Sequence, residues 1–347
     1  MAINSRTLAL LASMRRGVDV QVDATTRALT AQWSQAWHEI ADEWLIAAQT
    51  IVGMENPSPD QILKLNRTQR ALNAASERLA ALSDEFGAMM REPLNQVMWH
   101  TADVSEQLVR SQLPYTGQGV GMSFTRVSPE ALEWIVDRTM SNITSSRMPL
   151  AADAVTAMKS SLLRAVPAGW GPERAAREML RRTRSSFNGG LSRALTIART
   201  EMLDAHRAAS RASDMANDMV QQWQWMANLD AHVCPSCVAM HGQRFDKDVE
   251  GPHDHPNGRC ARLPVTVSWA DLGFENLDEP SDDFETTEDW MKRAPHEAVS
   301  ALGPERVLML NDGTIELEDM TQYRDNDEWR GSYQATPLND LRKKASQ

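Results

Sequence analysis

All three cysteines of this 347-residue chain fall within 27 residues, as Cys234-Pro-Ser-Cys237 and Cys260, with His255 between them in the run His255-Pro-Asn-Gly-Arg-Cys260. A Cys-x-x-Cys turn holds two thiolates on one tight loop. A second turn, seventeen residues further on, can close a tetrahedral cage of the soft and borderline donors that zinc prefers. The spacing predicts a zinc ion held by Cys234, Cys237, His255 and Cys260. Four protein ligands leave no open coordination position, so such a site stabilises a fold rather than performing chemistry. His241 and His253 are rival ligands and His232 a weaker one; the plain alternative is three reduced thiols beside a histidine-rich surface loop. A Cys234–Cys237 disulfide is disfavoured because cysteine is scarce and the chain does not open on a secretory signal. Arg15 and Arg16 follow the apolar run Leu8-Ala-Leu-Leu, which is the wrong order for one.

The first part of the chain reads as helix. Leu29, Trp33, Trp37, Ile40, Trp44, Ala48 and Ile51 recur at spacings of three and four, which places them on one stripe. Such a tryptophan stripe serves as a helix-helix seam more often than as a docking surface. Pro57 and Pro59 break the pattern, and Leu65, Leu72, Ala75, Leu79, Leu82, Phe86 and Met89 resume it in a heptad-like register. Pro93 is expected to kink or end that helix before Val97, Val104 and Leu108 continue it. A glycine-rich stretch, Leu113-Pro-Tyr-Thr-Gly-Gln-Gly-Val-Gly-Met, marks a connector without the pattern of a phosphate-binding loop.

Further helices are expected from the Ser128-Pro129-Glu130 start, over 149–166, and from Trp170-Gly171-Pro172, the last stopped by Asn188-Gly189-Gly190. Another follows from 191 to about 216, with Leu191, Leu195, Ala198, Met202, Ala205 and Ala209 on its buried face. Arg199 and Glu201 are two apart on it and point in different directions, so each pairs with a different neighbour. Trp223-Gln-Trp225-Met-Ala alternates like a strand, and Phe245 and Leu263-Pro-Val-Thr-Val267 could pair with it. A three-stranded patch of that size buries little apolar area, and a metal would supply what its core lacks. Beyond Trp269 acidic residues crowd and apolar ones thin out. This tail reads as an extended arm that orders on a partner, with a hairpin at Val307–Leu317 around an Asp-Gly turn.

The fold class expected is mainly α, with an elongated helical N-terminal half and a small α+β zinc-knuckle-like C-terminal unit. The segments are 1–112 (helical hairpin or bundle), 113–127 (connector), 128–268 (a domain bearing the zinc site) and 269–347 (acidic arm). No apolar run approaches the roughly twenty residues that a membrane-spanning helix needs.

Net charge is −11, yet residues 159–211 hold eleven Lys or Arg against four Asp or Glu, while 271–290 hold nine acidic residues and no basic one. Arg174, Arg177, Arg181, Arg182 and Arg184 form a basic stripe that could touch nucleic acid, although such faces are more often solvated or paired. A zinc deaminase needs an upstream His-x-Glu, and a zinc protease needs His-Glu-x-x-His; neither triplet occurs. A zinc-dependent nuclease or deaminase and a zinc-ribbon DNA-binding protein are therefore the minor readings, the latter weakened further by the acidic balance.

Two runs carry a family resemblance. Trp223-Gln-Trp225, then Asp230-Ala-His-Val-Cys234-Pro-Ser-Cys237-Val-Ala-Met-His-Gly242-Gln-Arg-Phe245, then His255-Pro-Asn-Gly-Arg-Cys260 resembles the C-terminal signature of the Mu F-like phage head morphogenesis, or minor capsid, proteins. Ile197-Ala-Arg199-Thr200-Glu201 with Ala205 resembles their second signature, and together they cover about residues 146–268. The resemblance implies a non-enzymatic virion component inside the head, associated with the portal or the major capsid protein and made in the host cytoplasm. It also implies a role in head assembly, DNA packaging or ejection. In one respect the chain departs from the family, which commonly reads His-Pro-Asn-Cys-Arg-Cys: Gly258 stands at the first of those two cysteines. An Asn-Gly pair after proline is a tight-turn signal, with glycine expected to take a positive φ.

Overall fold

The structure, a computed structural model, describes residues 3–52, 58–114, 127–145, 156, 160, 172–326 and 330–345. It is mainly helical, with small antiparallel sheets. Five helices precede the first strand among the described residues: α1 (Ser5–Val52), α2 (Pro59–Lys64), α3 (Asn66–Gln112), α4 (Pro129–Ser145) and α5 (Pro172–Met215). None of the described helices is long and apolar enough to cross a membrane. Most of the connector at 113–127, the helix expected over 149–166 (apart from 156 and 160) and Trp329 fall outside the described residues.

Two breakers lie inside helices, the second against expectation. Pro93 lies inside α3, which continues through it. The proline costs about 3 kcal/mol through a lost backbone hydrogen bond and a carbonyl clash, and burial of Met90, Leu94, Val97 and Met98 on both sides of it outweighs that. Likewise Asn188-Gly189-Gly190 does not stop a helix, because α5 runs through it. Each glycine costs about 1 kcal/mol relative to alanine, less than the following turns recover by burying Ala194, Ala198, Met202, Ala205 and Ala209.

By contacts the chain divides into two units. One consists of Gln21–Leu94 and Asp137–Glu201, the other of Met1–Val20, Asn95–Val136 and Met202–Gln347. Long helices contribute to both, so neither unit is one continuous segment. In the first unit the α1 stripe is buried at Leu29, Trp33, Ile40 and Trp44, with Trp37 half-buried; on α3, Leu72, Ala75, Leu79, Leu82 and Phe86 are buried. Arg78 Nε donates to Glu39 Oε2 at 2.6 Å, tying the two helices.

The second unit carries the sheet. Strand β1 (Val220–Met226) lies between β2 (Arg244–Asp246) and β3 (Ala261–Thr266), antiparallel to both, with Trp223 opposite Phe245 and Pro264. The expected three-stranded patch is thus present. A short helix α6 (Pro235–Met240) leads from β1 towards β2. Beyond β3 come α7 (Thr287–Arg293), α8 (Pro295–Leu302), α9 (Pro304–Asn311), a 3-10 turn (Leu317–Met320), the hairpin β4 (Thr321–Arg324) and β5 (Ser332–Ala335), and α10 (Leu338–Ala345).

The tail is therefore not an extended arm. Trp290, Ala298, Leu302, Ile315, Met320 and Leu341 share one buried cluster with Trp223, Trp225, Val238, Cys237 and Cys260. Thinly spread apolar residues suffice because each sits on the inward face of a short helix or turn. Two of its acidic residues also find partners at the other end of the chain. Asp283 accepts from the Ser5 backbone N–H at 2.8 Å and Asp282 from that of Ile3 at 3.3 Å, so both satisfy the start of α1, where a helix favours negative charge. Val307–Leu310, expected in a strand, belongs to α9, and Asp312-Gly313 ends that helix, with Gly313 at φ 76°.

Candidate metal centre

Helix α6 begins with a proline at its first position, and Cys234 caps it: the Cys234 sulfur accepts from the Cys237 backbone N–H at 3.3 Å. This half-turn brings the two sulfurs to 3.1 Å. Opposite them, the loop before β3 turns at Pro256-Asn257, closed by Gly258 N–H donating to His255 O at 2.9 Å. The left-handed residue of this turn is Asn257, at φ 62°, not Gly258 as the Asn-Gly signal suggested. The loop presents His255 Nε2 to Cys237 Sγ at 3.4 Å. His255 Nδ1 lies 2.9 Å from Pro256 O; donating its proton there leaves the Nε2 lone pair facing the sulfurs, the orientation a metal-binding imidazole takes. Cys260 is buried one residue ahead of β3.

The donor atoms gather in two triplets, each with all its members within 4.8 Å of one another: Cys234, Cys237 and His255, and Cys237, Asp254 and Cys260. All four predicted ligands thus come to one locality, with Cys237 common to both triplets. Three thiols, an imidazole and a carboxylate form a donor set that suits zinc. The rival histidines are engaged elsewhere. His241 accepts from Ala227 N–H at Nδ1 (3.1 Å) and reaches Glu285 O with Nε2 (3.0 Å), while His253 packs edge-on against Tyr323 and His232 is exposed.

Two members of this site were not singled out from the sequence. Asp254, with 1% of its side chain exposed, accepts from the His255 N–H at Oδ1 (2.8 Å) and from the Cys260 N–H at Oδ2 (3.0 Å). Arg207, on α5, donates to Asp254 Oδ2 (3.2 Å), Asp204 Oδ1 (2.6 Å), Gly258 O (2.5 Å) and Cys260 O (2.9 Å), and so fixes the whole loop. Only a long-range fold could reveal it, since 47 positions separate it from Asp254. Farther out, Arg259 clasps Asp230 with two bonds of 2.7 and 2.8 Å.

Electrostatics at the centre favour charge separation. Burial pushes the Asp254 carboxyl up, but Arg207 and then His255 hold it below its ordinary value. Burial opposes protonation of His255, yet Cys234 and Asp254 raise it to about 9. A hydrogen bond from Cys237, helped by His255, lowers the Cys234 thiol to about 5, while Cys237 and the buried Cys260 are raised. A metal binding here would have to displace the His255 proton and those of Cys237 and Cys260, so its binding would release protons and strengthen as pH rises.

Around the other signature, Thr200 and Glu201 are buried, Arg199 is half-buried and Ala205 is fully inside. Arg174, Arg177, Arg181, Arg182 and Arg184 lie on the helical backbone of α5. Arg181 is exposed, and the other four side chains lie outside the described residues.

Residues 156–263 match the family model described as Phage Mu protein F like protein. This span takes in the Ile197–Glu201 signature and all of Cys234, Cys237, Asp254, His255 and Cys260. No curated protein and no solved structure matches the chain. The resemblance carried by the two signatures is thus shown over this stretch: residues 156–263 of the chain are similar to the Phage Mu F-like proteins.

Proposed function

We propose that the chain is a phage head morphogenesis protein, a non-enzymatic minor capsid component that acts inside the head, with the portal as its neighbour. Its part there is in head assembly, DNA packaging or ejection. The observation that carries this reading is the family match over residues 156–263, which covers both signatures and the metal centre. Within it, a zinc ion on Cys234, Cys237, His255 and Cys260 would pin the α6 turn to the start of β3. The ion's work would be structural: it would cross-link two loops at the edge of the apolar cluster that holds Trp223 and Trp225. The basic stripe on α5 would be the surface that meets packaged DNA.

Proteomics of purified virions, with copy number measured against the portal, tests the assignment. Recovery in heads at a fixed low ratio to portal is the expected result. Absence from heads and from assembly intermediates would refute it, and would turn attention to a zinc-dependent nucleic-acid protein.

A further inference from the structure

We infer that Asp254 is itself a metal ligand, binding through Oδ1, and that its carboxylate occupies the place a side chain at position 258 would take. The inference rests on the zinc reading of the site and gives the fourth corner of the tetrahedron, beside Cys234, Cys237 and His255, to a carboxylate in place of Cys260, whose sulfur groups with Cys237 and Asp254 but not with Cys234 or His255.

Geometry carries the argument. A tetrahedral zinc with bonds of about 2.3 Å to sulfur and about 2.0 Å to oxygen or nitrogen holds a sulfur and an oxygen, or a sulfur and a nitrogen, roughly 3.5 Å apart. Cys237 Sγ stands 3.3 Å from Asp254 Oδ1 and 3.4 Å from His255 Nε2, and those two atoms are 3.5 Å from each other. Three donors of three chemical kinds therefore already lie at the separations of three corners of one coordination shell. The two carboxylate oxygens are also differentiated. Oδ2 accepts from the Arg207 guanidinium and the Cys260 N–H, whereas Oδ1 accepts a single backbone bond, from the His255 N–H at 2.8 Å, and keeps its second lone pair on the side of the sulfur and the imidazole. Orientation of a ligating carboxylate by a second shell of this kind is what a metal site needs.

Gly258 supplies the second, independent observation. A Cβ built there would fall 2.0 Å from Asp254 Cγ and 2.1 and 2.4 Å from its oxygens. Since Gly258 does not have a positive φ, backbone strain does not demand glycine at this position. Space does. A side chain at 258 and the carboxylate of Asp254 compete for one volume next to Cys237, so a donor can be offered from either position but not from both.

The test is Co(II) substitution of the full-length protein, reading the d–d bands, the sulfur-to-cobalt charge-transfer intensity and the affinity by competition. Three proteins are compared: wild type, Asp254→Asn, and the exchange variant Asp254→Ala/Gly258→Cys. Asparagine keeps the shape and the acceptor for the Cys260 N–H while the anionic donor is lost, and circular dichroism and melting of each metal-free variant show that what is compared is folded protein. The expected results are a shifted d–d spectrum with at least a tenfold weaker affinity in Asp254→Asn, and a gain of one thiolate's charge-transfer intensity with recovered affinity in the exchange variant. Wild-type spectrum and affinity in Asp254→Asn, or no added sulfur intensity in the exchange variant, would overturn the role of Asp254 and leave the metal site standing. Failure of the wild type to bind either Co(II) or Zn(II) would instead sink the zinc reading itself, and the inference with it.

Discussion

Arg262 and Asp214 form an ion pair of 2.5 Å with only 0% and 2% of their side chains exposed, and the same guanidinium lies 4.6 Å over the Trp223 ring. Arg262 also donates to the carbonyls of Val249 and Lys247, so its charge is satisfied on every side by a strand, a helix end and a loop. Breaking a buried pair from one side leaves the other charge without compensation, which costs about 3 to 5 kcal/mol. Asp214→Ala should lower stability by that amount in chemical denaturation. Asp214→Ala combined with Arg262→Met should recover part of it, because no unpaired charge then remains. A single variant as stable as wild type would show the pair to be dispensable.

Metal content follows from the proposed site. Protein purified without chelator should hold about one zinc per chain, and Cys237→Ser, which removes the donor common to both triplets, should release it. Structural zinc is worth on the order of 10 kcal/mol in small domains. The extensive core around this centre would make the loss here smaller, though still visible as a lower Tm. Metal analysis of wild type and variant, with parallel melting curves, checks both statements.

Acid should destabilise the unit that contains the sheet through two buried histidines. Burial, aided by the charges of Arg207, Arg15 and His100, lowers His206 to about 3, and burial lowers His241 to about 4. The unfolded chain binds their protons near pH 6.5, so below that pH it takes up more protons than the folded one. Their contribution is whole above about 6.5 and is lost as pH falls towards 4 and then 3, with a slope of up to about 1.4 kcal/mol per pH unit for each. His206→Gln should flatten the dependence of the urea midpoint on pH between 6.5 and 4.5. An unchanged slope would mean that His206 does not contribute to the acid limit.

Truncation separates the folded tail from the expected arm. Removing residues 287–347 would strip Trp290, Ile315, Met320 and Leu341 from the cluster that holds Trp223 and Trp225. The remainder should then expose that face and lose cooperative unfolding, read by calorimetry. Trp290→Ala alone should cost about 3 to 5 kcal/mol. A truncated chain that melts like wild type would restore the tail to the status of an appendage.

The local code was legible where neighbours along the chain decide the outcome. The stripe through Leu29, Trp33, Ile40 and Trp44, the strand at Trp223–Met226 and the turn from Cys234 to Cys237 each follow from side-chain period or from a cap and a proline within a few residues. Four candidate ligands could be named for the same reason: spacing alone brings Cys234 near Cys237 and sets His255 near Cys260.

Tertiary structure decided what depends on distant partners. Pro93 and Gly189-Gly190 look like helix ends until burial on both flanks outweighs their intrinsic cost. Sparse apolar residues after Trp269 look like an unfolded arm until their inward faces meet the indoles of β1. Asp254 reads as one more surface carboxylate until Arg207, far away in sequence, buries it against Cys237. Gly258 reads as a turn residue until the space beside it proves to hold that carboxylate. Periodicity and spacing are properties of neighbours, whereas burial, pairing and the sharing of one volume by two residues exist only once the chain has closed on itself.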